Sequence, residues 1–126
     1  VCCGDWERVC GPSVTIKHGL TGVFLDPPYA DTAGRDSDLY AVDCQRVAHD
    51  VREWAIEWGK HPLVRIVLAG YEGEHQMPSD WRKVEWKARG GYGSQGNDKS
   101  AGRANSHRER LWFSPACLSD KGMLFA

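Results

Sequence analysis

Two consecutive prolines, Pro27 and Pro28, stand directly behind the apolar run Val23-Phe24-Leu25 and the carboxylate of Asp26. Proline has a fixed φ and no amide hydrogen. A strand built from the apolar run must therefore stop there and empty into a loop at its carboxyl end. Because the run is continuous rather than alternating, it predicts a buried strand. From Asp36 or Ser37, either of which can cap a helix, Val47, Val51, Trp54, Ala55 and Trp58 recur at helical spacing, while Arg46, Asp50, Arg52 and Glu53 fall elsewhere. Gly59 and Pro62 end that pattern. Leu63 to Ala69 is apolar and β-branched between Pro62 and Gly70, which predicts a second buried strand. Strand, helix and strand make a βαβ unit, which implies parallel pairing through a crossover helix.

The flanks add shorter elements. Val1 to Val9 and Val14 to Ile16 are separated by the breaker Gly11-Pro12-Ser13. Trp81 to Ala88 alternates as a strand, Arg89 to Ser106 is a polar, glycine-rich loop, and Glu109 to Ser114 is a last strand closed by Pro115. The fold class this predicts is α/β: a partial doubly wound, Rossmann-like arrangement with a mostly parallel sheet and a late antiparallel edge. At 126 residues and 41% hydrophobic composition, the chain suffices for one domain with its own core and not for two. The opening at Val1 rather than Met, followed by Cys2 and Cys3, is read as a cut through a longer protein.

The bulk chemistry narrows the partners. Five cysteines at irregular spacing do not form a disulfide framework and suit a reducing, cytoplasmic compartment. Cys2, Cys3, Cys10 and His18 match no common zinc spacing, so no metal is expected. No apolar run is long enough to cross a bilayer, so no membrane is expected either. With a net charge of −1, contact with a polyanion has to be local rather than a property of the whole surface.

The chemistry concentrates in Asp26-Pro27-Pro28-Tyr29, placed where open α/β sheets put their binding crevice. An exocyclic amine on a nucleobase is a poor nucleophile because its lone pair is delocalised into the ring. A carboxylate at Asp26 and a carbonyl in the Pro27-Pro28 turn can each accept one hydrogen bond from that amine, favouring a pyramidal nitrogen whose lone pair faces a methyl donor. The prolines hold their carbonyls at little entropic cost, and Tyr29 offers a face on which an extruded base can stack. As a bare tetrapeptide the same residues make an ordinary strand-ending turn. The preceding apolar strand and the following helix and strand favour the chemical reading.

These segments resemble the site-specific DNA adenine methyltransferases of bacteria and their phages, the class with an Asp-Pro-Pro-Tyr motif. Gly4-Asp5-Trp6 looks like the family's Gly-Asp-Phe/Trp element, Val67-Leu68-Ala69-Gly70-Tyr71 like the strand after the catalytic helix, and Arg108 to Pro115 like the closing strand. The resemblance implies methyl transfer from S-adenosylmethionine to the N6 amine of adenine in double-stranded DNA, in a restriction-modification or phage setting. It implies that Asp26 and the Pro27-Pro28 carbonyls hold the amine, that Tyr29 stacks on the base, and that Asp5, with Asp26, lies near the cofactor. The family's Phe-x-Gly-x-Gly cradle for the methionine end is absent from the 126 residues, and neither Gly90-Gly91-Tyr92-Gly93 nor Gly70-Tyr71-Glu72-Gly73 replaces it. The resemblance thus implies that residues 1–126 are the C-terminal portion of a single catalytic domain without the glycine-rich cofactor motif and the target-recognition region, and the chain alone is expected to be inactive. The alternatives are N4-cytosine methylation, which in enzymes of this type more often has Ser in place of Asp26, and a non-catalytic remnant that binds DNA.

Three weaker groups complete the reading. Lys87, Arg89, Tyr92 and Arg103, in the polar loop, are candidate DNA contacts, with a solvated surface loop as the plain alternative. Trp54, Trp58, Trp81, Trp86 and Trp112 are expected in the core rather than as base platforms. His49, His61, His75 and His107 have no partner at a recognisable spacing and are expected as surface or capping residues.

Overall fold

The computed structural model describes residues 4–28, 38–86 and 106–118. Within them a short helix, α1 (Trp6–Val9), and a 3-10 turn (Ile16–His18) lead into β1 (Thr21–Leu25). Helix α2 (Asp38–Trp58), β2 (Val64–Tyr71), β3 (Arg82–Glu85) and β4 (Glu109–Phe113) follow. The predicted cap positions Asp36 and Ser37, and the loop from Arg89, lie outside the described residues.

The four strands form one sheet in the order β1-β2-β4-β3. β1 and β2 pair in parallel, from Thr21 opposite Val64 to Leu25 opposite Leu68. β4 pairs antiparallel with β2 on one side and with β3 on the other. The protein is thus a mixed α/β structure. The predicted mostly parallel sheet with an antiparallel edge needs correction, because only one of the three pairings is parallel and the reversed strand is interior. β1, β2 and β3 run one way, and β4, last in sequence, slots between β2 and β3. A strand that returns late can satisfy the free amides and carbonyls of both neighbours only by running between them.

Alternation in β2 makes the core. Val64, Ile66 and Leu68 project to the α2 side and are almost fully buried, against Val51 and Ala55 of the helix and Trp112 of β4. Burial of each such side chain contributes roughly 1.5–3 kcal/mol. β1 departs from its prediction as a fully buried strand. Among the described residues it is an edge strand, paired with β2 alone, and Phe24, on the face away from α2, is 63% exposed. Of the tryptophans, Trp81 and Trp112 are buried and Trp54 and Trp58 pack partly against the core. Trp86 is exposed, because β3 is the opposite edge and ends at Glu85.

The end of α2 shows why a glycine stands at position 59. Gly59 does not adopt a positive φ, so the usual left-handed cap does not explain it. A Cβ there would fall 2.6 Å from the Trp81 ring and 2.8 Å from the Ala55 carbonyl oxygen. The residue is small because the indole of Trp81 closes over the helix end.

Candidate functional site

Leu25 is the last residue of β1, and Asp26-Pro27-Pro28 leaves the sheet from its carboxyl edge. Asp26 and Pro28 are exposed, whereas Pro27 is buried and anchors the turn between them. All three line a cleft of about 660 Å³, a size suited to a small ligand. Its walls are apolar: Val23 and Leu25 of β1, Val47 and Val51 of α2, and Trp6, Val9 and Cys10 of the N-terminal segment. Among the described residues, Asp26 is the charged one in that lining. Burial pushes the Cys10 thiol above its ordinary pKa, so it stands in the wall as a neutral thiol.

The N-terminal segment reaches the cleft through aromatic packing. Trp6 meets Trp54 edge to face at 6.3 Å between ring centroids, and Trp54 stacks on Trp58 at 6.1 Å, so α1 is clamped to α2. The sequence motif Gly4-Asp5-Trp6 is thereby brought to the same cleft as Asp26-Pro27-Pro28, but through Trp6. Asp5 itself caps α1, its Oδ1 accepting a hydrogen bond from the Glu7 amide at 3.0 Å, and it is absent from the lining. Tyr29, Lys87, Arg89, Tyr92 and Arg103 lie outside the described residues.

Two groups beside this edge were not foreseen from sequence. The first is a charged cluster at the ends of β2, β3 and β4. Glu72 accepts from Lys83 Nζ at 2.5 Å and from Arg110 Nε at 2.6 Å, and Arg110 also faces Glu85 at 3.5 Å. The Lys83 and then the Arg110 hydrogen bonds hold the Glu72 carboxyl below its ordinary range. The second is His75, expected at the surface and found buried. The tight turn after β2 includes Gly73 at φ +83°, and it closes with the Glu74 amide donating to the Tyr71 carbonyl at 3.0 Å. This folds the His75 ring onto Gly70, where a Cβ would come within 2.6 Å of the imidazole, and edge-on against Trp112 at 5.2 Å. Among the described residues, His75 Nε2 has no hydrogen-bond partner. Neither group has a local signature, because each is completed by a residue of β4, Arg110 in the first and Trp112 in the second, more than thirty residues away in sequence.

Among the described residues there is no cluster of His, Cys, Asp and Glu that could hold a metal ion, and no helix is long and apolar enough to cross a membrane. Compared with known protein families, curated proteins and solved structures, the chain matches none of them.

Proposed function

We propose that this chain is the catalytic-motif portion of a doubly wound DNA methyltransferase that transfers a methyl group from S-adenosylmethionine to the N6 amine of adenine. The observation that carries the reading is the placement of Asp26-Pro27-Pro28. The motif leaves the carboxyl end of a strand that is paired in parallel with the next, and it lines a cleft between sheet and helix. In that position the Asp26 carboxylate accepts one hydrogen bond from the target amine and a carbonyl of the proline turn accepts the other. The amine nitrogen becomes pyramidal and nucleophilic without a separate strong base. Burial of Pro27 supports this role, since an anchored turn presents its acceptors without reorganising.

The residues present fit the amine-holding half of the reaction better than the donor-holding half. The apolar cleft beside Trp6 has the volume for a nucleoside-sized group. The glycine-rich cradle for the methionine end is missing from the sequence. The outer edge of β1, which runs Thr-Gly-Val-Phe-Leu without a charged side chain, is consistent with a doubly wound sheet continuing there. Exposed edges of complete sheets are ordinarily guarded by charge, as β3 is by Arg82, Lys83 and Glu85.

The test is methyl transfer to unmethylated double-stranded DNA from labelled S-adenosylmethionine. The enzyme for this assay is the chain expressed with the coding sequence that adjoins it, and the products are identified by nucleoside mass spectrometry. N6-methyldeoxyadenosine is the expected product. N4-methyldeoxycytidine would reassign the base, and the absence of any methylated nucleoside, with DNA binding retained, would favour the non-catalytic remnant.

A further inference from the structure

The parallel ladder between β1 and β2 opens with the Thr21 amide donating to the Leu63 carbonyl at 2.7 Å. The register, which runs to Leu25 opposite Leu68, repeats that rung at every second residue. Carried one step further, the ladder calls for two bonds at position 27: its amide to the Ala69 carbonyl, and the Tyr71 amide to its own carbonyl. Proline has no amide hydrogen, so the first cannot form. The second is pre-empted, because the Tyr71 amide donates to Glu74 Oε2 at 2.9 Å. Among the described residues no backbone hydrogen bond reaches the Pro27 carbonyl. The same turn meets the other stranded group. Ala69 is buried, and its carbonyl, with no amide at position 27, serves as acceptor for the His75 ring. The ring is within reach because it lies on Gly70, the other half of that peptide unit, where a Cβ would come within 2.6 Å of the imidazole.

We propose that Glu74 and His75 are positioning residues for the Asp26-Pro27-Pro28 turn: by taking the Tyr71 amide and the Ala69 carbonyl, they end the ladder at Leu25 and keep the Pro27 carbonyl open to the target amine. That the incoming donor is a nucleobase amine rests on the methyltransferase reading. A carboxylate is a stronger acceptor than a peptide carbonyl, so the Tyr71 amide stays with Glu74 rather than turning to Pro27. Without Glu74 that amide competes with the substrate for the same carbonyl. Without the His75 N–H the Ala69 carbonyl is buried and unmet, and the end of β2 beside the turn loses its fixed place. Both residues act through the turn and neither touches the reacting atoms.

Carbon-13 labelling of the proline carbonyls tests this apart from catalysis. The Pro27 carbonyl resonance should move downfield in Glu74→Ala, where the Tyr71 amide is released to it, and stay in place in Glu74→Gln, which keeps a side-chain acceptor. In the longer protein used for the methylation assay, Glu74→Ala should slow single-turnover methyl transfer about tenfold with DNA affinity kept. Glu74→Gln should remain within about threefold of wild type. An unmoved Pro27 resonance in Glu74→Ala, or rates of the two Glu74 variants that fall together, overturns the proposal. Should Glu74→Ala not fold, a double-mutant cycle decides. His75→Phe fills the space without an N–H, and its drop in urea midpoint should shrink once Pro27→Ala restores an amide at position 27. An equal drop in both backgrounds would remove the ladder account. A shifted Pro27 resonance in a protein that transfers no methyl group would leave the ladder account standing and remove the methyltransferase reading. Methyl transfer indifferent to Glu74→Ala would do the reverse.

Discussion

Ile66 and Ser114 are joined by two hydrogen bonds at 2.9 Å: the Ser114 amide donates to the Ile66 carbonyl, and the Ile66 amide donates to Ser114 Oγ. The hydroxyl takes the place of a ladder carbonyl one residue beyond the end of β4. It lets the fully buried centre of β2 keep its amide satisfied where the regular strand pairing stops. Arg65 Nε donates to the Ala116 carbonyl at 3.2 Å and fastens the same turn from the other face.

Removing that hydroxyl leaves a buried amide without an acceptor. Ser114→Ala is expected to destabilise the protein by about 1–3 kcal/mol, the cost of an unmet buried donor. Urea unfolding would register this as a lower midpoint at unchanged slope. A midpoint equal to wild type would show that another acceptor replaces Oγ.

His75 predicts how stability depends on pH. Burial, the largest influence, lowers its pKa; Glu74 and the Ala69 carbonyl pull it up, and Arg52 adds to the lowering. Because the folded pKa lies below the unfolded value of about 6.5, the unfolded chain takes up the proton first. The contribution of neutral His75 is therefore complete above that value and shrinks as pH falls from it toward the folded pKa. Melting temperatures between pH 8 and pH 5 should fall for the wild type and flatten in His75→Phe, measured relative to each protein's value at pH 8. Parallel curves for the two proteins would assign the acid sensitivity to other groups.

Under the proposed function, Asp26→Ala should slow methyl transfer by about two to three orders of magnitude, the effect of losing a charged hydrogen-bond acceptor at the reacting atom. DNA affinity should change little, since it comes mostly from phosphate contacts. Single-turnover rates beside anisotropy separate the two quantities. A variant retaining more than about a tenth of the wild-type rate would take Asp26 out of the mechanism.

The 126-residue chain alone should bind S-adenosylmethionine weakly or not at all, because the backbone amides that would cradle the methionine end are missing from its sequence. Isothermal calorimetry reads this directly. Micromolar affinity would mean that the cleft beside Trp6 and Asp26 forms the donor site by itself.

Much of the fold was legible because it rests on local rules. Pro27 and Pro28 had to end β1, the spacing of Val47, Val51, Trp54 and Ala55 had to make one face of a helix, and Val64, Ile66 and Leu68 had to make a buried strand. These follow from φ restriction, from the helical repeat and from side-chain alternation, each of which acts over a few residues. The place of Asp26-Pro27-Pro28 at a strand end was legible for the same reason. Only the tertiary structure decided that β4 runs between β2 and β3, that Phe24 is exposed on an edge strand, and that Asp5 caps a helix while Trp6 enters the cleft. It likewise decided that His75 is buried on Gly70 and that Arg108 lies over Tyr71. Each of these depends on which distant segment satisfies a strand's open edge or covers a residue's surface. That choice is made by the free energy of the assembled sheet and core rather than by any short stretch of sequence.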